Sequence, residues 1–304
     1  MLTYLQAIIM GLLQGVTELF PVSSLGHSVL IPTIFGWHNL IKVQSEPESY
    51  YLAFIVGLHV GTAVGLLIFY RRQWVDIGGG LITSVRDRTI EKPNQRLAWL
   101  LIVATIPAGL MGLALEHEFR VLFSKPLSAA IFLMVNGLIL LGGELVRRRQ
   151  LVVRGVTVGS PKLGKSLAVS DAETTPVKTL DHLGFGEAFI IGVAQVFALI
   201  AGISRSGITM VTGLVRGLDH EDSARFSFLL ATPIILAAGI FKLPDLLGTL
   251  GNGIRGQALA GAAAAGIAAY FSVRFLVKWF ETRTLWPFGV YCLVVGLAFT
   301  IYYA

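Results

Sequence analysis

A chain of 304 residues with 54% hydrophobic and only 14% charged residues, and a mean hydropathy of +0.73, is not a soluble globular domain, where about a quarter of residues carry charge. Its net charge of +6 sits mostly in two connecting segments, so it reports topology and gives no ground for a nucleic-acid partner. The single cysteine, Cys292, lies in an apolar run and excludes an intrachain disulfide framework.

Taken in chain order, residues 2–22 lack a basic n-region and a cleavage site, and read as retained structure. The apolar region 2–41 is interrupted by Gly, Pro and Ser together with a polar patch running from Gln14 to His27. A span needs about 20 largely apolar residues, and 51–70 supplies one. Segment 71–96 follows with Arg71, Arg72, Arg86, Arg88, Lys92 and Arg96. Spans 97–115 and 127–146 flank a loop, 116–126, in which Glu116 and Glu118 balance Arg120 and Lys125. Segment 147–183 is polar and basic, with Arg147, Arg148, Arg149, Arg154, Lys162, Lys165 and Lys178, and has the composition of a mobile linker. Region 184–218 is again apolar with a polar interruption, Gln195 to Thr209, and spans 226–247, 257–277 and 285–303 complete the chain.

The fold predicted is an all-α polytopic membrane protein with about six full spans and two re-entrant helical hairpins. Broken helices at membrane depth are tolerated only where protein or water covers them. The basic segments 71–96 and 147–183 are placed in the cytoplasm by the positive-inside rule. The first hairpin then opens outward. Three spans separate it from the second, which must open inward, giving an inverted-topology repeat: 1–146, a linker 147–183, then 184–304. A shift of 181 residues supports the repeat, superposing Ala7 on Ala188, Ile9 on Ile190, Gly11 on Gly192, Gln14 on Gln195, Ser23 on Ser204 and Gly26 on Gly207.

Charged and polar groups at membrane depth mark a site, and two patches in two halves mark one site at the interface of the repeat. Gln14 and Glu18, four apart, share a helix face. Pro21 ends that helix, Ser23, Ser24 and Gly26 form the break, and His27 opens the next helix. Glu18 at a helix C-terminus meets the unfavourable end of the dipole and calls for a cation, Arg205 or a proton. Ser24 beside His27 is a minimal nucleophile and base. In the second patch, Gly202 to Gly207 breaks the helix, and a new one starts after Ser204-Arg205-Ser206. Backbone N–H groups there, the Arg205 fork, and the hydroxyls of Ser204, Ser206 and Thr209 compose a phosphate cradle. The blander reading makes Glu18 and Arg205 structural glue, and Ser23 and Ser206 mere caps. Glu46, Glu48, Asp219, Glu221 and Asp222 read as solvated loop charges. Nothing local marks His59 or Thr62. No His/Cys metal motif is present, although a divalent cation between Glu18 and substrate phosphates needs none.

At these residues the sequence resembles the undecaprenyl-diphosphate phosphatase family, the bacitracin-resistance phosphatases. The family's first motif, Glu or Gln, three residues, then Glu, is matched by Gln14 and Glu18, followed by the matching stretch Pro21 to His27. Its second, Pro-Gly-x-Ser-Arg-Ser-x-x-Thr, is matched by Gly202, Ser204, Arg205, Ser206 and Thr209. Two departures stand out: Ala201 replaces the motif's Pro, and Gln14 removes one carboxylate, which implies weaker metal affinity if the metal sits between two. The resemblance implies hydrolysis of a C55 polyprenyl diphosphate to the monophosphate and inorganic phosphate at the outer (periplasmic) face of the bacterial inner membrane. It also implies carrier recycling for peptidoglycan synthesis, bacitracin resistance, and dependence on a divalent cation, Mg²⁺ or Ca²⁺, with Glu18 and Gln14 as the candidate ligands. The implied roles are catalytic for Ser24, His27, Glu18 and Arg205, with Glu18 competing with His27 as base. Ser23, Ser204, Ser206, Thr209, Gly202 and Gly207 would bind substrate, and the tail would lie between helices and leave into membrane lipid. A homo-oligomer stays open. The rival readings are a transporter or flippase of lipid phosphates, an acid-phosphatase-type lipid phosphatase (whose required His falls on Val211), and a purely structural membrane protein.

Overall fold

The computed structural model describes residues 2–44, 50–114, 125–153 and 178–304. Its described residues form helices α1 (Tyr4–Thr17), α2 (Ser24–Ile34), α3 (His38–Gln44), α4 (Tyr50–Phe69), α5 (Arg71–Asp87), α6 (Pro93–Ala114), α7 (Pro126–Val153), α8 (Phe185–Val196), α9 (Arg205–Val215), α10 (His220–Leu247), α11 (Arg255–Phe280) and α12 (Trp286–Tyr303). Six of these, α4, α6, α7, α10, α11 and α12, are long and apolar enough to cross a membrane. The protein is an all-helical, multi-pass membrane protein.

The remaining apolar helices are too short to span. α1 has 14 residues and α2 has 11; α8 has 12 and α9 has 11. At about 1.5 Å per residue each falls well below the roughly 30 Å of hydrocarbon. Neither member of either pair is long enough to cross by itself. A capping box starts α1: the Gln6 amide donates to Thr3 Oγ1 (3.2 Å) and the Thr3 amide to Gln6 Oε1 (3.0 Å). The second helix of each pair starts on a serine cap, the Gly26 amide donating to Ser23 Oγ (3.2 Å) and the Gly207 amide to Ser204 Oγ (3.1 Å). That shared cap gives a structural reason for the match of Ser23 with Ser204 and of Gly26 with Gly207.

Close approach of backbones accounts for a third coincidence. A Cβ on Gly11 of α1 would lie 2.1 Å from the Gly261 carbonyl oxygen of α11, and one on Gly192 of α8 would lie 2.3 Å from the Ala104 oxygen of α6. Thus α1 packs on α11 while its counterpart α8 packs on α6, the counterpart of α11. The two remaining counterpart pairs, α4 with α10 and α7 with α12, pack on each other. α4 joins the same seam, since a Cβ on Gly61 would meet the Ala262 oxygen at 2.1 Å. Small residues at such crossings let helices gain the dispersion contacts that replace a hydrophobic drive in lipid.

The structure departs from expectation in three places. Segment 71–96 is not only a basic connection: α5 buries Ile77, Gly80 and Ser84, and Trp99 Nε1 of α6 donates to Ser84 Oγ (2.9 Å). α7 continues to Val153, beyond the expected linker start. Asp219 and Asp222 are not merely solvated; Asp219 Oδ1 caps α10 through the Asp222 amide (2.7 Å), and Asp222 Oδ2 accepts from the Leu180 amide (2.8 Å). Glu46, Glu48, most of loop 116–126 and linker residues 154–177 lie outside the described residues.

Gly11→Val or Gly61→Val is expected to lower stability by about 3 kcal/mol or more, since the backbone it meets cannot yield. Gly142→Ala, with nothing within 4 Å, is expected to be neutral or stabilising by up to about 1 kcal/mol. Thermal unfolding in detergent checks both; equal effects would refute the close-packing account.

Candidate active site

The two breaks meet in the protein interior, and Glu18 is the point of contact. Its side chain is buried at the end of α1. Arg205, at the first position of α9, donates through Nε and Nη2 to Glu18 Oε1, both at 3.1 Å. Its Nη1 donates to the Ser227 carbonyl oxygen of α10 (3.2 Å). Glu18 Oε2 accepts from Ser24 Oγ at 2.5 Å and from Gln14 Nε2 at 3.2 Å. His59 Nε2 of α4 stands 3.3 Å from the same oxygen. A carboxylate in a low-dielectric setting is tolerable only when paired and fully hydrogen-bonded, and this one is both.

Around this centre the remaining predicted residues take several places. Thr209 Oγ1 lies 2.7 Å from Ser227 Oγ and donates to the Arg205 carbonyl (2.8 Å), bracing the turn that carries the guanidinium. Ser204 Oγ and Ser206 Oγ are 3.0 Å apart, and Ser206 Oγ donates to the Phe20 carbonyl (3.3 Å), tying α9 to the first break. Ser23 Oγ accepts from the Gly202 amide (3.2 Å) as well as from Gly26. Gly202 has φ +105°, and a Cβ there would lie 2.5 Å from the Ala129 oxygen, so only glycine fits. Gly207 sits in the first turn of α9.

His27 takes another place than Ser24's neighbour. Its Nδ1 is 2.7 Å from the Ser23 carbonyl oxygen and its Nε2 2.8 Å from the Tyr291 hydroxyl of α12. A ring nitrogen facing a carbonyl must carry hydrogen, which leaves Nε2 to accept from tyrosine. Both nitrogens are thus engaged away from Ser24, and the ring stacks on Tyr291 at 5.8 Å. His27 holds the Ser23 carbonyl while Ser23 adopts φ 69°, an uncommon conformation for a non-glycine residue.

Sequence reasoning missed four residues here. His59 and Asn136 carried a readable signal, a polar side chain in the middle of an apolar span. Asn136 of α7 is fully buried; its Nδ2 donates to the Pro21 carbonyl (3.0 Å) and its Oδ1 accepts from the Ser204 amide (2.9 Å), so it clamps one break to the other. Ser227 and Tyr291 gave no such signal.

The second patch has no counterpart of Glu18, whose equivalent is Leu199. One acidic-basic centre is therefore built from two unequal halves. The family described as bacitracin resistance protein BacA matches residues 7–298, nearly the whole chain. The chain belongs to the BacA family. Its BacA relatives include undecaprenyl-diphosphatase 2 of Frankia alni, 53% identical over 100% of this chain and 98% of the relative. Undecaprenyl-diphosphatase of Mycolicibacterium paratuberculosis is 52% identical over the same shares, and undecaprenyl-diphosphatase 2 of Chromobacterium violaceum 43% identical over 96% of each.

Glu18→Gln and Arg205→Gln should each destabilise the protein by about 3–5 kcal/mol by leaving a buried partner unpaired, and the double variant by clearly less than the sum. Thermal unfolding of the four proteins in detergent reads the coupling directly; strict additivity would mean the pair is not coupled.

Proposed function

We propose that this BacA protein hydrolyses undecaprenyl diphosphate to undecaprenyl phosphate and inorganic phosphate at the Glu18–Arg205 centre. The observation that carries the assignment to these residues is the Ser24–Glu18 hydrogen bond beneath a guanidinium, a nucleophile and proton acceptor beside a phosphate-binding fork. The names of the relatives give the activity, and no comparable support exists for a transporter or a purely structural protein.

Phosphoryl transfer needs mainly positioning and charge neutralisation. Arg205 keeps hydrogens beyond those given to Glu18 and Ser227, and a planar fork matches phosphate oxygens. The amides of Arg205 and Ser206 in the first turn of α9 add donors where the helix dipole favours an anion. Ser24 Oγ attacks the terminal phosphorus as its proton passes to Glu18 Oε2. The bond to the bridging oxygen breaks and undecaprenyl phosphate leaves. Water then attacks the phosphoserine, releasing inorganic phosphate and restoring the hydroxyl. In the variant of this scheme without a covalent intermediate, Ser24 orients the water and Glu18 takes its proton. His27 acts here as a positioning residue, and His59 steadies the Glu18 carboxylate.

The donor set fits a divalent cation. Glu18 and Ser24 offer oxygens, and Gln14 Oε1 is buried with no hydrogen-bond partner. Among the described residues no group of three or more His, Cys, Asp and Glu exists. Mg²⁺ or Ca²⁺ commonly needs only one or two carboxylates beside substrate phosphates. Glu18, Gln14 and Ser24 would hold such an ion, and it would neutralise phosphate charge. The basic segments 71–96 and 147–153 support cytoplasmic placement of those ends. The first break then faces the periplasmic side of the inner membrane, where carrier recycling for peptidoglycan synthesis and bacitracin resistance would follow.

Phosphate release from a polyprenyl diphosphate in detergent should fall about a thousandfold in Arg205→Ala and in Ser24→Ala, with both proteins folded. Glu18→Gln should lose about as much, and His27→Asn only about tenfold. The reverse order of the last two would return the base role to His27. Calorimetric titration with Mg²⁺ or Ca²⁺ should show tighter binding in Gln14→Glu than in the wild type; unchanged affinity would remove Gln14 from the cation site.

A further inference from the structure

His59 enters the centre from α4 with a bonding pattern that a supporting role leaves half explained. Its Nδ1 is 2.8 Å from the Ile55 carbonyl oxygen, one turn earlier in the same helix. A carbonyl only accepts, so Nδ1 carries the ring hydrogen, and the neutral imidazole then has a bare lone pair at Nε2. Nε2 lies 3.3 Å from Glu18 Oε2, itself an acceptor. Two acceptors that face each other need a proton or a metal ion between them. A charged N–H···O bond closes to about 2.7–2.9 Å, shorter than this contact. Two ligand atoms that share one first-row cation at about 2.0–2.2 Å stand about 3.0–3.4 Å apart, a range that includes it.

Other features converge on the same carboxylate oxygen. Gln14 donates from Nε2 to Glu18 Oε2 (3.2 Å), while the Oε1 of the same amide is buried without a partner. Ser24 Oγ lies against Oε2 as well. Arg205 engages the opposite oxygen, Oε1, and so leaves Oε2 to another cation. The His59 side chain is 22% exposed and that of Glu18 6%, so the imidazole is the side of the pair open to an arriving ion. An Nδ1–H held by a backbone carbonyl is also a common way of orienting a metal-binding histidine.

We propose that His59 Nε2 is a ligand of the cation, beside Glu18 Oε2, Gln14 Oε1 and Ser24 Oγ, and that this nitrogen turns the site from Mg²⁺ or Ca²⁺ toward a first-row divalent cation such as Mn²⁺. The inference rests on the cation reading given above and changes the metal it names. Mg²⁺ and Ca²⁺ take oxygen ligands, whereas imidazole suits the first-row metals.

The test uses the full chain in detergent, stripped with a chelator and titrated calorimetrically with Mn²⁺, Mg²⁺ and Ca²⁺, with pulsed electron paramagnetic resonance of the Mn²⁺ complex. In the wild type, Mn²⁺ should bind about tenfold more tightly than Mg²⁺ and show a nitrogen coupling that isotopic labelling of histidine alters. His59→Gln keeps a donor for Glu18 but removes the imidazole. It should lose both the coupling and the Mn²⁺ preference, with Mg²⁺ affinity within about twofold of the wild type. No nitrogen coupling in the wild type, or equal affinity for the three ions, overturns the proposal and leaves His59 a protonated partner of Glu18. Coupling retained in folded His59→Gln overturns it by placing Mn²⁺ on another histidine. Binding of none of the three ions by the folded wild type removes the cation site and the proposal together. A second measurement needs only the wild type: Fe²⁺ with ascorbate and oxygen oxidises metal-holding histidines, and the modified peptides are mapped. Oxidation of His59 that Mn²⁺ suppresses and Mg²⁺ does not supports the proposal; an unmodified His59 refutes it. Absence of phosphate release from protein that binds Mn²⁺ through His59 would count against the diphosphatase reading alone.

Discussion

The ion pair between Glu18 and Arg205 is the constraint to which the rest of this structure answers. Neither charge is stable alone at membrane depth, and each arrives on a helix that stops short of crossing. Both chain breaks must therefore point at one another. Everything that holds the breaks in place can be traced to that demand: the serine caps, the glycine at 202 that lets α9 approach Ala129, and the buried amide of Asn136 that bonds to both sides. A pair of this kind contributes little net stability compared with an apolar replacement, but it strongly penalises every arrangement in which one partner is missing. Its effect is to specify a single docking of the two halves.

The division of labour between the halves follows from a small asymmetry. Both carry the same cap, the same docking glycine and a buried glutamine. Within the two polar patches, 14–27 and 195–209, only the first carries a carboxylate, and only the second a guanidinium. A symmetric arrangement would place like charges at the pseudo-symmetric centre, whereas the divergence at Glu18/Leu199 and Ser24/Arg205 leaves opposite charges facing each other. The same inequality sets Ser24 and Glu18 on one side of the centre and Arg205 with the first turn of α9 on the other.

Much of this was legible in the sequence, because the cost of burying polar groups in hydrocarbon is paid only for a reason. The six spans followed from length and hydropathy, and the two broken regions from Gly, Pro and Ser beside charges. Glu18, Ser24 and Arg205 were readable as neighbours because both breaks had to face a shared interior. What escaped were contacts made across the bundle. His59 and Asn136 sit in spans whose rotation about their axes no local pattern fixes, since a helix that is apolar all round gives no facing direction. The partners of His27 escaped for the same reason: Ser24 and Ser28 are near it in sequence, but its ring nitrogens find Tyr291, 264 residues away, and the Ser23 carbonyl. Adjacency in sequence is a poor guide where one residue shift turns a side chain by about 100°.

The exchange of packing partners between halves also bears on how the chain is made. The helix on which α1 rests, α11, is translated some 240 residues after it. Until then Gly11 and Gly15 have no backbone to lie against, and Glu18 awaits a guanidinium that lies 187 residues further on. Helices too short to span, with a carboxylate still unpaired, have no stable place in hydrocarbon until those partners are made. Contacts between such distant segments make assembly slow and leave the unfinished chain exposed to misassembly. Assembly of the Glu18–Arg205 centre is thereby tied to synthesis of α9, α10 and α11.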